Sequence, residues 1–114
     1  MIIYVPVDAP QIFKMISHST QPISSTFFLT CNVIKGARSL HFQWFKDDLQ
    51  LENTTMTNDK QIMIESKYQM SHLTIPEIKV DHAGNYSCVS TNQFGSDTQW
   101  TVLQVLGLFK LCVC

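Results

Sequence analysis

The sequence predicts an all-β domain, a two-sheet sandwich with one disulfide between the sheets. Three observations predict it. Apolar and polar residues alternate in short runs that end at turn residues, and no segment carries an apolar helical stripe. Cys31, Trp44, Tyr86 and Cys88 all fall on the inward phase of that alternation. Neither Cys31 nor Cys88 has a second Cys or His at zinc-ligand spacing, so a buried bridge is the better reading of the pair.

Each element follows from the same alternation. Asp8 to Ile12 contains Pro10 and reads as an edge strand, where a proline is tolerated. Ser17 to Gln21, followed by Pro22, reads as a polar break where a first strand switches sheets. Phe27 to Val33 is a strong strand with Phe27, Leu29, Cys31 and Val33 on one face. Lys35 to Ser39 is a loop around Gly36. His41 to Lys46 is a strand with Phe42 and Trp44 on one face, and Lys46-Asp47-Asp48 turns it. Leu49 to Lys60 reads as polar and irregular. Gln61 to Glu65 and Met70 to Ile75 are strands, the second with Leu73 and Ile75 inward. Ile78 to Gly84 is a corner. Asn85 to Asn92 is a strand with Tyr86, Cys88 and Ser90 inward. Gln93-Phe94-Gly95 turns it into a last strand, Thr98 to Val105, with Leu103 and Val105 inward. The count is about eight strands.

Composition bounds the function. With 114 residues the chain suits one domain, large enough to bury a core. Hydrophobic residues are 45% and charged residues 15%, which is not a disordered composition. The formal net charge of −1, with scattered Lys and Arg, gives no electrostatic reason to expect nucleic acid. No apolar run reaches the ~18 residues of a membrane span, so membrane insertion by this segment is not expected. Met1 to Val7 has no positive start and no small-residue cleavage site. A structural bridge nevertheless implies an oxidising compartment. The sequence is therefore read as a segment of a longer secreted or cell-surface chain, with the domain at residues 8–105.

The inward residues form one constellation. Two sheets facing each other at about 10 Å are pinned by a disulfide only if both cysteines point inward from facing strands. The indole of Trp44 covers that bridge. Tyr86, two residues before Cys88, is spaced so that its hydroxyl bonds back to the backbone of the preceding turn, and Gly84 frees the backbone there. Bridging Cys31 to Cys88 closes a long loop, worth roughly 4 kcal/mol in the chain-entropy account.

These residues carry a family resemblance. Leu29-Thr30-Cys31, Trp44-Phe45-Lys46-Asp47, Leu73-Thr74-Ile75, His82-Ala83-Gly84-Asn85-Tyr86-Ser87-Cys88 and Ser90-Thr91-Asn92-Gln93-Phe94-Gly95 resemble an intermediate-set (I-set) immunoglobulin domain. The resemblance implies an immunoglobulin-like Greek-key sandwich. Most I-set domains carry Asp where this chain has His82, with Asp81 beside it. A His followed by a small residue and Gly-Asn-Tyr, the Gly36 loop and the Trp-Phe-Lys-Asp run are similar to the Down syndrome cell adhesion molecule (Dscam) family, arthropod-type members in particular. That resemblance implies homophilic recognition on a cell surface.

Other candidate chemistry is sparse. Asn53-Thr54-Thr55 and Asn85-Tyr86-Ser87 are glycosylation sequons, Asn53 in a polar loop and Asn85 outward at a strand start. Chance sequons are common, so an unmodified surface asparagine is the competing reading for each. His18, His41, His72 and His82 lie on separate strands and corners, without a spaced ligand partner, nucleophile or orienting acid. Asp47, Asp48 and Asp81 lack the alternating oxygens of a calcium loop. No catalytic residue, metal or cofactor is expected.

Function is sought on the outward phase. Phe28, Thr30, Met70, His72 and Thr74 share one outer face, with Met63 nearby; Phe45, Val89 and Trp100 share the other. Exposed apolar groups rimmed by polar ones suggest a protein contact. Cover by neighbouring loops or the next domain is the competing reading. The candidate binding residues are Phe28, Met70, His72, Phe45 and Trp100, and the Phe28 face is favoured because its apolar groups cluster. Three roles compete: homophilic adhesion, binding of a soluble ligand by a receptor ectodomain, and a passive extracellular spacer. Leu106 to Cys114 is apolar and lies past the last strand. Its Cys112 and Cys114 read as free thiols, as partners of sequence elsewhere, or as the product of an incorrect gene structure, which is preferred. That tail and Met1 to Val7 are expected to be poorly ordered.

Overall fold

The structure, a computed structural model, describes residues 8–52, 54–57 and 60–107, without the side chains of 54–57 and 60. The expectations for Asn53, Met1 to Val7, Cys112 and Cys114 lie outside the described residues. Ten strands are described: β1 (Gln11–Ile12), β2 (His18–Pro22), β3 (Phe27–Lys35), β4 (His41–Lys46), β5 (Leu49–Leu51), β6 (Thr54–Thr57), β7 (Lys60–Lys67), β8 (Met70–Ile75), β9 (Gly84–Asn92) and β10 (Gly95–Leu106), with a 3-10 turn at Val80–His82. They form two five-stranded sheets, in the orders β1-β3-β8-β7-β6 and β2-β10-β9-β4-β5.

Two segments differ from the sequence expectation. Ser17 to Gln21 is not a break. His18 to Pro22 is a strand, paired in parallel with Val102 to Leu106. Its ladder is a backbone matter and leaves no apolar alternation to read. The sheet switch lies just before it, at Phe13 to Ser17, and side chains of β10 hold it there. Asp97 Oδ2 accepts the N–H of Ile12 at 2.8 Å, Gln99 Oε1 accepts that of Met15 at 3.0 Å, and Thr101 Oγ1 donates to the carbonyl of Ile16 at 2.8 Å. Within Leu49 to Lys60, expected to be irregular, Leu49–Leu51 and Thr54–Thr57 are likewise strands, because β5 pairs with β4 and β6 with β7. Asp47 and Asp48 make the two-residue turn into β5 with φ of 49° and 69°. Asp tolerates that left-handed region, and a turn of this twist suits a tight hairpin. The strand count is accordingly ten among the described residues rather than eight.

The inward phase of both sheets forms the core. Phe27, Leu29, Cys31, Val33, Ile62, Leu73 and Ile75 come from the first sheet; Trp44, Tyr86, Cys88 and Leu103 come from the second. Cys31 and Cys88 are bonded with their Cα atoms 6.3 Å apart. Beside that bridge, Trp44 pairs with Cys88 and Ser71 pairs with Cys31. The Trp44 indole N–H reaches across the sandwich to Ser71 Oγ at 2.8 Å, so a hydrogen bond runs next to the disulfide.

The corner before β9 is fixed by hydrogen bonds. Tyr86 donates its hydroxyl to the carbonyl of His82 at 2.5 Å. His82 is buried, and its Nδ1 accepts the N–H of Lys79 at 2.8 Å. Gly84 has φ +158°, at the edge of the positive-φ range that side chains resist, so the conformation asks for glycine, as the sequence predicts. A Cβ there would stand 2.7 Å from Asp47 Oδ2. At Gly36, φ is +131° and a Cβ would stand 2.8 Å from the Cα of Pro10, so a side chain is barred twice over.

Candidate protein-binding faces

The outer face of the first sheet is built by register. Phe28 pairs with Thr74, and Thr74 with Met63; Thr30 pairs with His72, and His72 with Glu65; Asn32 pairs with Met70, and Met70 with Lys67. Cross-strand partners share a face, so these three rows form one surface. Phe28 is 57% exposed and Met63 38%. The Phe28 ring stacks on His72 with centroids 5.2 Å apart and planes at 21°. His72 Nδ1 lies 3.1 Å from Thr30 Oγ1, which fixes the imidazole from its other side. Met70 and Thr74 are half-buried beside it. Ile34 continues the outward phase of β3 and is 48% exposed. The structure thus brings together the predicted residues Phe28, Met70 and His72. It adds Ile34, Glu65 and Lys67, which only the strand register reveals.

The second outer face centres on Ser87, whose partners are Trp100 on β10 and Phe45 on β4. Trp100 is 51% exposed, while Phe45 and Val89 are half-buried. Asn85 lies one pair further along β9, opposite Val102, and is exposed. Asp47 clamps it through the backbone: Asp47 N–H donates to the Asn85 carbonyl, and Asn85 N–H donates to Asp47 Oδ1, both at 2.9 Å. That backbone N–H, helped by Lys46, holds the Asp47 carboxyl below its ordinary value against a small opposing desolvation. Beneath this face, burial foremost and the Asp47 charge second push the Tyr86 phenol well above its ordinary range. Thus Phe45 and Trp100 do sit on one surface, but with a serine between them rather than in contact.

An open cleft of about 470 Å³ at one end of the sandwich lies between Gly36 to Leu40 and the β7–β8 turn, with Lys35, Arg38 and Tyr68 at its edge. No local motif marks it, because loops far apart in sequence form it. Among the described residues no helix is long and apolar enough to cross a membrane.

Known proteins share this architecture. The immunoglobulin I-set domain family matches residues 10–105. The cell adhesion molecule DSCAML1 of Gallus gallus is 28% identical over 90 residues, covering 79% of this chain and 4% of that protein. Neural cell adhesion molecule 1 of Gallus gallus is 28% identical over 96 residues, covering 84% of this chain and 9% of that protein. The chain therefore spans less than a tenth of either relative. Among solved structures, the crystal structure of the Dscam1 Ig7 domain, isoform 5, superposes with a TM-score of 0.75 at 22% identity, covering 86% of this chain and 97% of that one. With the bridged Cys31–Cys88 core, the Trp44 that spans it and the family match over most of its length, this chain belongs to the immunoglobulin I-set family.

Proposed function

We propose that residues 8–105 form an extracellular adhesion module that binds a second copy of itself through the Phe28 face. The disulfide and the likeness to cell adhesion molecules support the cell-surface setting. The module acts by binding rather than catalysis.

The observation that carries the homophilic reading is the self-complementarity of this face. An interface between identical copies related by a two-fold axis must present a patch that fits its own rotated image. An axis running across the sheet between the Thr30 and Asn32 rows does this. It sets Phe28 of one copy against Ile34 of the other, and Glu65 against Lys67, in both directions at once. Two exposed apolar groups and two opposite charges are matched by one operation.

Light scattering of the secreted domain, with aggregation of beads that display it, tests this reading. Self-association that Phe28→Asp abolishes supports it. Dispersed beads and a monomer at all concentrations overturn it, and leave a ligand-binding ectodomain or a spacer as the role.

A further inference from the structure

The exposed Trp100 lies close to a sequon that sequence alone does not connect to it. Asn85 pairs with Val102, and Ser87 pairs with both Trp100 and Phe45, all on one outer face. Asn85 is thus the diagonal neighbour of Trp100 on one side and of Phe45 on the other. Diagonal neighbours stand roughly 7–8 Å apart, within reach of an aromatic side chain. Ser87, the hydroxyl residue of the Asn85-Tyr86-Ser87 sequon, is small and sits between the two rings. Its small side chain separates the two aromatics, directly beside an exposed asparagine whose backbone Asp47 holds in place.

We propose that Asn85 carries an N-linked glycan whose first N-acetylglucosamine lies on Trp100, and that the glycan closes this face to protein partners. The sugar ring has one face of C–H groups, the natural partner of an indole π-face, while its hydroxyls remain in water. The stacked sugar accounts for a tryptophan held half-exposed in the middle of a sheet. It also separates the roles of the two faces: the Asn85 face bears sugar, and the Phe28 face is left for protein. The glycan rests on the extracellular reading of the chain, because transfer to Asn-X-Ser occurs only in the secretory pathway.

The test uses the full chain behind an added leader, secreted from cells that make high-mannose glycans. Asn53→Gln leaves Asn85 as the remaining target of the two sequons named here. The intact mass is expected to carry a glycan, and Asn85→Gln to lose it. One enzyme then trims the glycan to a single N-acetylglucosamine, and another removes it entirely. Acrylamide quenching of tryptophan emission is expected to be about two-fold weaker in the one-sugar form than in the bare form, because buried Trp44 is shielded in both and the sugar covers Trp100 in one. Trp100→Phe is expected to abolish that difference. A bare mass on the Asn53→Gln chain, or equal quenching of the two trimmed forms, overturns the proposal. Self-association is not read in this experiment, so its outcome and that of the Phe28 face are separable.

Discussion

Trp44 donates its indole N–H to Ser71 Oγ at 2.8 Å, from one sheet to the other, and both residues are buried. Ser66 Oγ lies 2.7 Å from the same serine oxygen, and because Ser66 is exposed the chain of three polar groups runs from the core to the surface. Ser71→Ala removes the acceptor of the buried indole N–H. The expected cost is about 1–3 kcal/mol, the usual penalty for an orphaned buried donor. Urea unfolding followed by circular dichroism measures it. A variant within 0.5 kcal/mol of the parent, roughly the scatter of a neutral surface substitution, would show that the bond contributes little.

The core was legible in the sequence for a simple reason. Cys31, Trp44, Leu73, Tyr86 and Cys88 obey period-two alternation, and their side chains are large enough to mark the phase. Ser71 obeys it too, but a serine in an inward position reads as noise until its partner across the sandwich is known. The strand at His18 to Pro22 was missed because parallel pairing with β10 needs only backbone groups. The sheet switch, expected at Ser17 to Gln21, lies a few residues earlier at Phe13 to Ser17, because Asp97, Gln99 and Thr101, more than eighty positions away, hold it there. On the faces, the exposed phase of each strand was readable. Which exposed residues become neighbours depends on register, so the Phe28–His72 stack and the Asn85–Trp100 diagonal were not.

Tyr86 makes stability depend on alkaline pH. Burial raises its phenol in the folded state above the ordinary value of 10.0. The neutral form is thus favoured by folding, and the contribution is fully present below pH 10. Above pH 10 the unfolded chain ionises first, and stability falls by up to about 1.4 kcal/mol per pH unit until the folded phenol also ionises. Urea titrations between pH 8 and 11 should show this decline. Tyr86→Phe should flatten it while costing about 1 kcal/mol at neutral pH for the lost bond to the His82 carbonyl.

Asp47 acts in the opposite direction and more weakly. Its folded carboxyl lies below the ordinary 3.8, held there first by the N–H of Asn85. Its contribution is therefore present above pH 4 and is lost as pH falls through the folded value. The group is largely exposed, so solvent screening limits the effect to under about 1 kcal/mol. Asp47→Asn keeps an oxygen acceptor for Asn85 and should remove this acid-dependent part. Asp47→Ala should lose the neutral-pH part as well. Thermal melts at pH 3 and 7 separate the two variants.

His82 stands where an aspartate is more usual in this family, and the structure gives its role there. Its Nδ1 accepts the Lys79 N–H and caps the 3-10 turn. An asparagine Oδ1 occupies nearly the same position relative to the backbone as a histidine Nδ1. His82→Asn is accordingly expected to keep more stability than His82→Ala, with the alanine costing about 1–2 kcal/mol as a lost cap does. Equal losses from both, by urea unfolding, would mean that the filled volume of the ring matters and the acceptor does not.

The paired charges on the Phe28 face allow a sharper test than any single deletion. In the two-fold arrangement each Glu65 meets Lys67 of the second copy. Glu65→Lys alone places two lysines opposite each other at both contacts, and Lys67→Glu alone places two glutamates there. Each should weaken self-association by about ten-fold, the scale of a few tenths to one kcal/mol per like-charge contact made twice. The double exchange, Glu65→Lys with Lys67→Glu, restores opposite charges everywhere under the same two-fold and should recover association. Analytical ultracentrifugation of the three variants at low and high salt reads this directly, and the differences should shrink as salt rises. If the double exchange is as weak as either single one, Glu65 and Lys67 do not face each other and the two-fold axis is misplaced. The fold cannot produce that outcome by itself, since both side chains are exposed and the core beneath them is unchanged.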